Sequence, residues 1–423
     1  MRTSSASVSA SISAFIPNFA AALLLAASGF LFGSTDTLTA APAPAPAQDN
    51  TIVGVVREKP VWVESSSPEI ADLARRAFGA HGDYRLAKGA AARIRLVKTA
   101  PATVSVTLES QGARIAQSVT GADWRDATLR ACDAVLVAER KRPFFAGKIT
   151  FISDRTGRKE VYAGDLFFGT VQQLTSYNSI CSSPRWTRDG SEVLHTTYHN
   201  HNYTDIFAVS ADGRRRRGVI VNKRGTTTGA VSNPRTGQLA FANSGRGDMD
   251  IYTAAADGGG IHRVTSAKGV ESDPAWSADG TKLAFAGGSV GRPGIHVIAL
   301  PGGTPKRVAT QANYSTEPSW NPVFQTKIAY TFQEGGFRIG VVDTATGSVE
   351  KIAVNLRGGG RVSGLSNPSW CADGRHLVAT LRSGVTTRLV LVDTNTAAGN
   401  KATVLSGATM ANCAEVDYFW SGK

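Results

Sequence analysis

The chain has 423 residues, enough at about 150 per domain for two or three domains with a sizeable core. Its 44 glycines against 19% charged residues favour many turns and short strands over long helical bundles. With 4 Cys, 7 His, no CxxC and no HExxH, zinc ribbons, iron–sulfur clusters and zincins are excluded, and a formal charge of +13 favours anionic partners without naming one.

Residues 1–47 read as an address and a tether. A Ser-rich start after Arg2 leads into the apolar run Phe19 to Phe32, and Thr39-Ala40-Ala41 and Ala45-Pro46-Ala47 offer small-residue cleavage sites. The run of 14 residues is short of the roughly 20 that span a bilayer. The alternating Ala-Pro stretch at 41–47 is a stiff spacer. The expectation is an exported chain that meets no nucleic acid and, once processed, is not inserted in a membrane.

Residues 48–142 form a second region, expected to be a small α/β domain. Thr51 to Val56, Ile94 to Val97 and Thr103 to Leu108 read as strands, and Pro68 to Ala77 and Asp126 to Glu139 as helices. In the second helix Leu129, Cys132, Leu136 and Val137 recur at helical spacing, and Pro143 cannot continue it.

Residues 143–423 repeat. Pro-x-Trp with a following Asp-Gly turn occurs at Trp186, Trp276 and Trp370; Trp320 keeps the tripeptide, Val231 stands in an eroded copy, and Trp420 closes the series. These anchors are 45, 45, 44, 50 and 50 residues apart. A second series, centred on Val161, Ile206, Ile251, Ile295, Ile339 and Leu389, runs at nearly the same period. A period of about 40–50 residues made of four short strands is a propeller blade. The hairpin series starts before any Trp anchor and the Trp series ends after the last hairpin. Lys148 to Ser176 should therefore supply three strands of the first blade and Asn412 to Ser421 its innermost one. The predicted fold is mainly β: a six-bladed propeller closed by the C-terminal strand and preceded by the small α/β domain.

Three residues before each anchor stand Ser183, Thr228, Asp273, Glu317, Asn367 and Asp417, all polar. Propeller geometry would gather them at one mouth of the central channel, with Glu271 and Glu415 two residues earlier on the same strand face. Carboxylates at Asp273, Glu317 and Asp417 could supply the oxygen ligands Ca²⁺ needs, or receive a partner's basic group; polar residues lining a watery channel would give the same pattern. The loop carrying His199 and His201 should emerge on the same side, where those two histidines would join the partner-binding surface. His195 is expected in a strand, with stacking favoured over metal ligation. Gly287 to Gly291 matches GxSxG but joins two strands, so a hairpin outweighs a nucleophile elbow. Arg214 to Arg217 read as a solvated turn on the opposite face. Cys181 and Cys413 lie on innermost strands of neighbouring blades and are a candidate disulfide in an oxidising compartment; Cys132 and Cys371 read as buried and reduced.

Gly147-Lys148-Ile149-Thr150-Phe151-Ile152-Ser153-Asp154-Arg155, the repeat Asp273-Pro274-Ala275-Trp276-Ser277-Ala278-Asp279-Gly280, and the order of export signal, α/β domain and propeller resemble the TolB family. The likeness covers about 50 to 421; the N-terminal domain is shortened and the Val231 and Trp320 copies depart from the consensus. The resemblance implies a periplasmic, non-catalytic adaptor of the Tol-Pal envelope system, binding the lipoprotein Pal through a propeller face and TolA through the N-terminal region, with no cofactor required. The alternative is a metal-dependent propeller lyase or hydrolase acting on an envelope glycan or peptide.

Overall fold

The computed structural model describes residues 58–198, 202–360, 362–395, 401–407 and 410–422. The segments read as an export signal and a tether, the strand expected at 51–56, and His199 and His201 lie outside them.

The α/β region is a five-stranded sheet carrying two helices. Its strands are β1 (Lys59–Ser65), β2 (Tyr84–Leu86), β3 (Ala92–Ala100), β4 (Thr103–Ser110) and β5 (Ala113–Thr120), in the order β2-β1-β3-β4-β5. β1 runs parallel to β2 and β3, and the remaining pairs are antiparallel. Helix α1 (Pro68–Ala80) starts with proline at its first turn, where the missing N–H costs nothing, and buries Ile70, Leu73, Ala77 and Phe78. Helix α2 (Trp124–Ala138) is capped by Asp123, whose carboxylate accepts the N–H groups of Arg125 and Asp126. Both helices fall where periodicity placed them, each within three residues at either end. β1, β2 and β5 were not anticipated, because β1 is partly polar, β2 is only three residues long and β5 has one exposed face.

The propeller has six blades. Blade 1 joins Lys148–Ser153, Glu160–Asp165 and Val171–Gln173 to the C-terminal strand Cys413–Phe419, which pairs antiparallel with Lys148–Ser153. Blade 2 begins at Cys181–Trp186, blade 3 at Thr227–Ser232, blade 4 at Val270–Trp276, blade 5 at Ser315–Trp320 and blade 6 at Gly364–Trp370. Closure by the C-terminus is thus as the offset of the two repeat series required. It removes the free edges an open ring would leave. Around the joint, Ser153 Oγ donates to the Met410 carbonyl at 2.7 Å and Asp154 accepts from the Asn412 backbone and side chain, both at 3.0 Å.

The α/β region rests on blades 1 and 6, at the end of the propeller carrying the turns between first and second strands. Asp133 of α2 accepts the N–H groups of Phe144, Phe145 and Ala146 at 2.8 to 3.0 Å, fixing the entry into blade 1. Arg375, in the first turn of blade 6, bridges Asp83 of the α/β region and Asp393 of its own blade at 2.8 and 2.7 Å. Beside it His376 stacks on Phe144, meets the His81 ring edge-on, and pairs with Asp373. Burial works to lower the His376 pKa, but the Asp373 carboxylate outweighs it and the ring titrates above its usual value. The opposite end of the propeller, where second and third strands meet in hairpins, is left open by the α/β region.

The cysteines correct one expectation. All four are free and buried. The Cys181 thiol faces Glu160 and Thr175 in the core between blades 1 and 2, whereas Cys413 lies 3.7 Å from the Met410 carbonyl in the core between blades 6 and 1. The sheet of blade 1 stands between them, so Cys181 and Cys413 form no bridge.

Candidate functional site

In every blade the innermost strand loses register with the second strand at one place, where two residues oppose one. The first of the two adopts a left-handed backbone: Ser183 (φ 51°), Gly229 (68°), Asp273 (53°), Glu317 (53°), Asn367 (51°) and Glu415 (55°). This is a repeated bulge that bends each strand around the channel, and only glycine takes the conformation without steric cost. The predicted slot is therefore real in four blades and misassigned in two. Thr228 lies one residue before the bulge and Asp417 two residues after it; the true members are Gly229 and Glu415. The same alignment puts Ser232 and Tyr418, rather than Val231 and Trp420, in the position of the tryptophan anchors.

The polar side chains of this ring hold the blades to one another. Glu415 Oε2 accepts the N–H of Ser183 at 2.6 Å, Glu317 Oε2 accepts that of Asn367 at 2.8 Å, and the Asp273 carboxylate accepts that of Glu317. Where the preceding blade offers no acid, a threonine replaces it: Thr196 accepts from Gly229 and Thr380 from Glu415. Five of the six bulged peptides thus find an acceptor on the neighbouring blade, as a buried N–H must. Asp417 works one step along, taking the Trp186 N–H at 2.9 Å and the Ser369 hydroxyl at 3.1 Å.

Arg185 was not singled out from sequence, although it stands two residues beyond Ser183 on the same strand. Its positive charge favours ionisation of both Asp273 and Asp417. Burial nevertheless dominates at Asp273, Asp417 and Glu317. It raises Asp273 and Asp417 above the usual carboxylate range, and together with the neighbouring Asp273 charge it pushes Glu317 up to about 7. Glu271 is raised as well, by burial first and the nearby Asp250 second. These carboxylates fit Ca²⁺ poorly, since their oxygens already serve inter-blade N–H groups and Glu317 tends towards the neutral form. Among the described residues no three His, Cys, Asp or Glu side chains gather to hold a metal ion.

His195 lies in the second strand of blade 2, buried and stacked with Tyr177 and Phe207. Burial lowers its pKa to about 4, so it is a neutral core ring. The GxSxG segment is the hairpin between the second and third strands of blade 4. The Arg214 to Arg217 turn lies at the end of blade 2 opposite those hairpins; Arg217 pairs with Glu192 and Arg216 lies over the Tyr177 ring.

Comparison with known proteins agrees with this architecture. The family model described as TolB beta propeller domain matches residues 139–413. A TolB homolog of Chlorobium luteolum is 34% identical over 154 residues, 36% of this chain and 34% of the relative. The Tol-Pal system protein TolB of Anaeromyxobacter dehalogenans strain 2CP-C is 30% identical over 159 residues, 37% of this chain and 36% of the relative. The matched segment therefore spans about a third of these relatives' length. The crystal structure of TolB from Acinetobacter baumannii superposes with a TM-score of 0.74 at 16% identity, covering 86% of this chain and 96% of that one, a likeness of fold that includes the α/β region. The propeller match extends over more than half of the chain, which belongs to the TolB family.

Proposed function

We propose that the protein is an exported, non-catalytic adaptor of a Tol-Pal type envelope system, acting in the periplasm. In this reading the open propeller face engages the lipoprotein Pal and the segment preceding the α/β region engages TolA. The observation that carries it is the division of the propeller into two ends. One is occupied by the α/β region through Arg375, Asp83 and Asp133; among the described residues the α/β region leaves the other open to a partner. The channel carboxylates fit a structural rather than a catalytic role, because Glu415, Glu317 and Asp273 each accept a backbone N–H group of the neighbouring blade. An adaptor of this kind asks for no cofactor. The experiment is capture of soluble, unlipidated Pal by the purified protein in the absence of lipid. Retention of Pal supports the assignment, and failure under conditions where a known TolB retains its own Pal overturns it.

A further inference from the structure

We propose that the open face of the propeller also docks on an anionic phospholipid surface, with valine tips entering the headgroup boundary and arginines meeting phosphates. Among the described residues the two most exposed large apolar side chains are Val385, at 87%, and Val290, at 69%. Both occupy hairpins between second and third strands, in blades 6 and 4, and so project from the same end of the ring. Tyr198 and Tyr203, half exposed, border the equivalent hairpin of blade 2. The even blades thus carry apolar side chains at this end, while the odd blades present Arg158, Arg246 and Glu334.

Folding does not ask for these valines. Gly384-Val385 is a two-residue hairpin loop closed by Ser383 and Thr386, with Gly384 at φ 63°. Such a loop needs glycine at its first position and takes any residue at its second, and an 87% exposed β-branched residue gains nothing from packing there. Val290 is likewise carried outward between Gly288 and Gly291, both at positive φ.

The charges around the tips are mainly basic. Arg292 follows Val290, Arg388 lies three residues beyond Val385, and Arg158 stands on the hairpin of blade 1; all are exposed. The acids at this end are partly committed, Asp154 to Asn412 and Glu334 to Lys351, with Asp248 exposed.

The apolar tips stand apart around the channel, on separate hairpins. A bilayer accepts separate tips wherever they lie in one plane, and basic residues at headgroup depth add attraction. This inference does not depend on Pal, and its test contains none.

The exported, processed protein is sedimented with vesicles of equal parts phosphatidylglycerol and phosphatidylcholine, and with phosphatidylcholine alone. The expected result is binding to the first that weakens with salt, and little to the second. Replacing Arg158, Arg292 and Arg388 by alanine should weaken binding on the order of a hundredfold, at about fivefold per arginine. V290D with V385D should abolish it, while alanines at Arg214 to Arg217 on the other face should leave it unchanged. Thermal melts of each variant confirm the fold. In V385W the new indole should shift its emission to the blue on vesicle addition. Absence of wild-type binding overturns the proposal. So does binding that needs the arginines but ignores V385D and leaves the V385W emission unshifted, because that surface would suit an acidic protein instead.

Discussion

The carboxylate of Glu415 accepts the backbone N–H of Ser183 at 2.6 Å, although 232 residues separate them. One belongs to the strand that closes blade 1 and the other to the first strand of blade 2, and both sit at the bulge of their blade. The contact therefore joins the end of the chain to the ring it completes. Asp417 repeats the connection two residues on, through the Trp186 N–H.

Replacing Glu415 by alanine should leave the Ser183 N–H without its acceptor and cost about 1–3 kcal/mol, with a similar loss for Asp417→Ala at Trp186. Because both act on the same joint, the double variant should depart from additivity. Ser183→Gly keeps the accepted N–H and removes the steric cost of a left-handed serine, so it should be neutral or mildly stabilising. Urea unfolding measures all four; equal losses in Ser183→Gly and Glu415→Ala would contradict this view of the joint.

Glu317 gives the ring a pH dependence of definite sign. Its carboxyl is raised from 4.5 to about 7 by burial and by Asp273, so between those values the folded chain binds the proton more tightly than the unfolded one. Its contribution is fully present below pH 4.5 and is lost as pH rises through 7, a difference of at most about 3 kcal/mol. Asp133, raised by burial to about 7, acts in the same direction. Glu317→Gln should flatten part of the decline in stability between pH 5 and 8 and leave the Asp133 part, as read from melting temperatures across that range. An unchanged slope would show that Glu317 titrates normally.

Much of this architecture is legible in the sequence because the repeat is written in tryptophans. Trp186, Trp276, Trp320 and Trp370 are large, nearly buried side chains that seal one blade against the next, and little else fills that space. Where the tryptophan is missing, counting fails: Ser232 and Tyr418 occupy its position, and the neighbouring Val231 and Trp420 mislead by one and two residues. The constraint that survives is conformational. Gly229 is the residue that accepts φ 68° readily, and an isolated glycine in a strand marks a bulge. Glu415 offered no such signal, since a glutamate is an uncommon occupant of that backbone region. Arg185 and the Asp83–Arg375–Asp393 bridge were hidden for another reason, because they depend on which blades the α/β region covers.

The bridge at Arg375 should be the most sensitive point of that contact. The Asp393 side chain is fully buried, and Arg375 is its bidentate partner as well as the partner of Asp83. Arg375→Ala would leave a buried carboxylate uncompensated, at a cost of about 3–5 kcal/mol. Adding Asp393→Asn should restore part of that loss, because the unpaired charge is gone. The check is a double-mutant cycle in urea, joined to limited proteolysis around Arg140 to Arg142, where loosening of the α/β region would appear as faster cleavage. Additive losses would mean that Arg375 stabilises through packing alone.

The cysteines offer a test of the cores on either side of blade 1. Burial raises the Cys181 thiol to about 12 and the Cys413 thiol to about 11, and takes Cys132 and Cys371 well above their usual value. Thiolate is the reactive form, so the folded protein at neutral pH should be nearly inert to a thiol reagent. In denaturant all four should react, in protein purified from an oxidising compartment without reductant. Reaction of only two would mean that a disulfide had formed. That would require the first strands of blades 1 and 2 to turn Cys413 and Cys181 towards each other, in conflict with the cores they occupy here. Cys181→Ser should then report on packing alone: it places a hydroxyl beside Glu160 and Thr175, which can accept it, so the loss should stay within about 1–2 kcal/mol. Cys413→Ser meets a carbonyl acceptor at Met410 and should behave alike. A far larger loss for either, removed by reductant in the wild type, would restore the bridge.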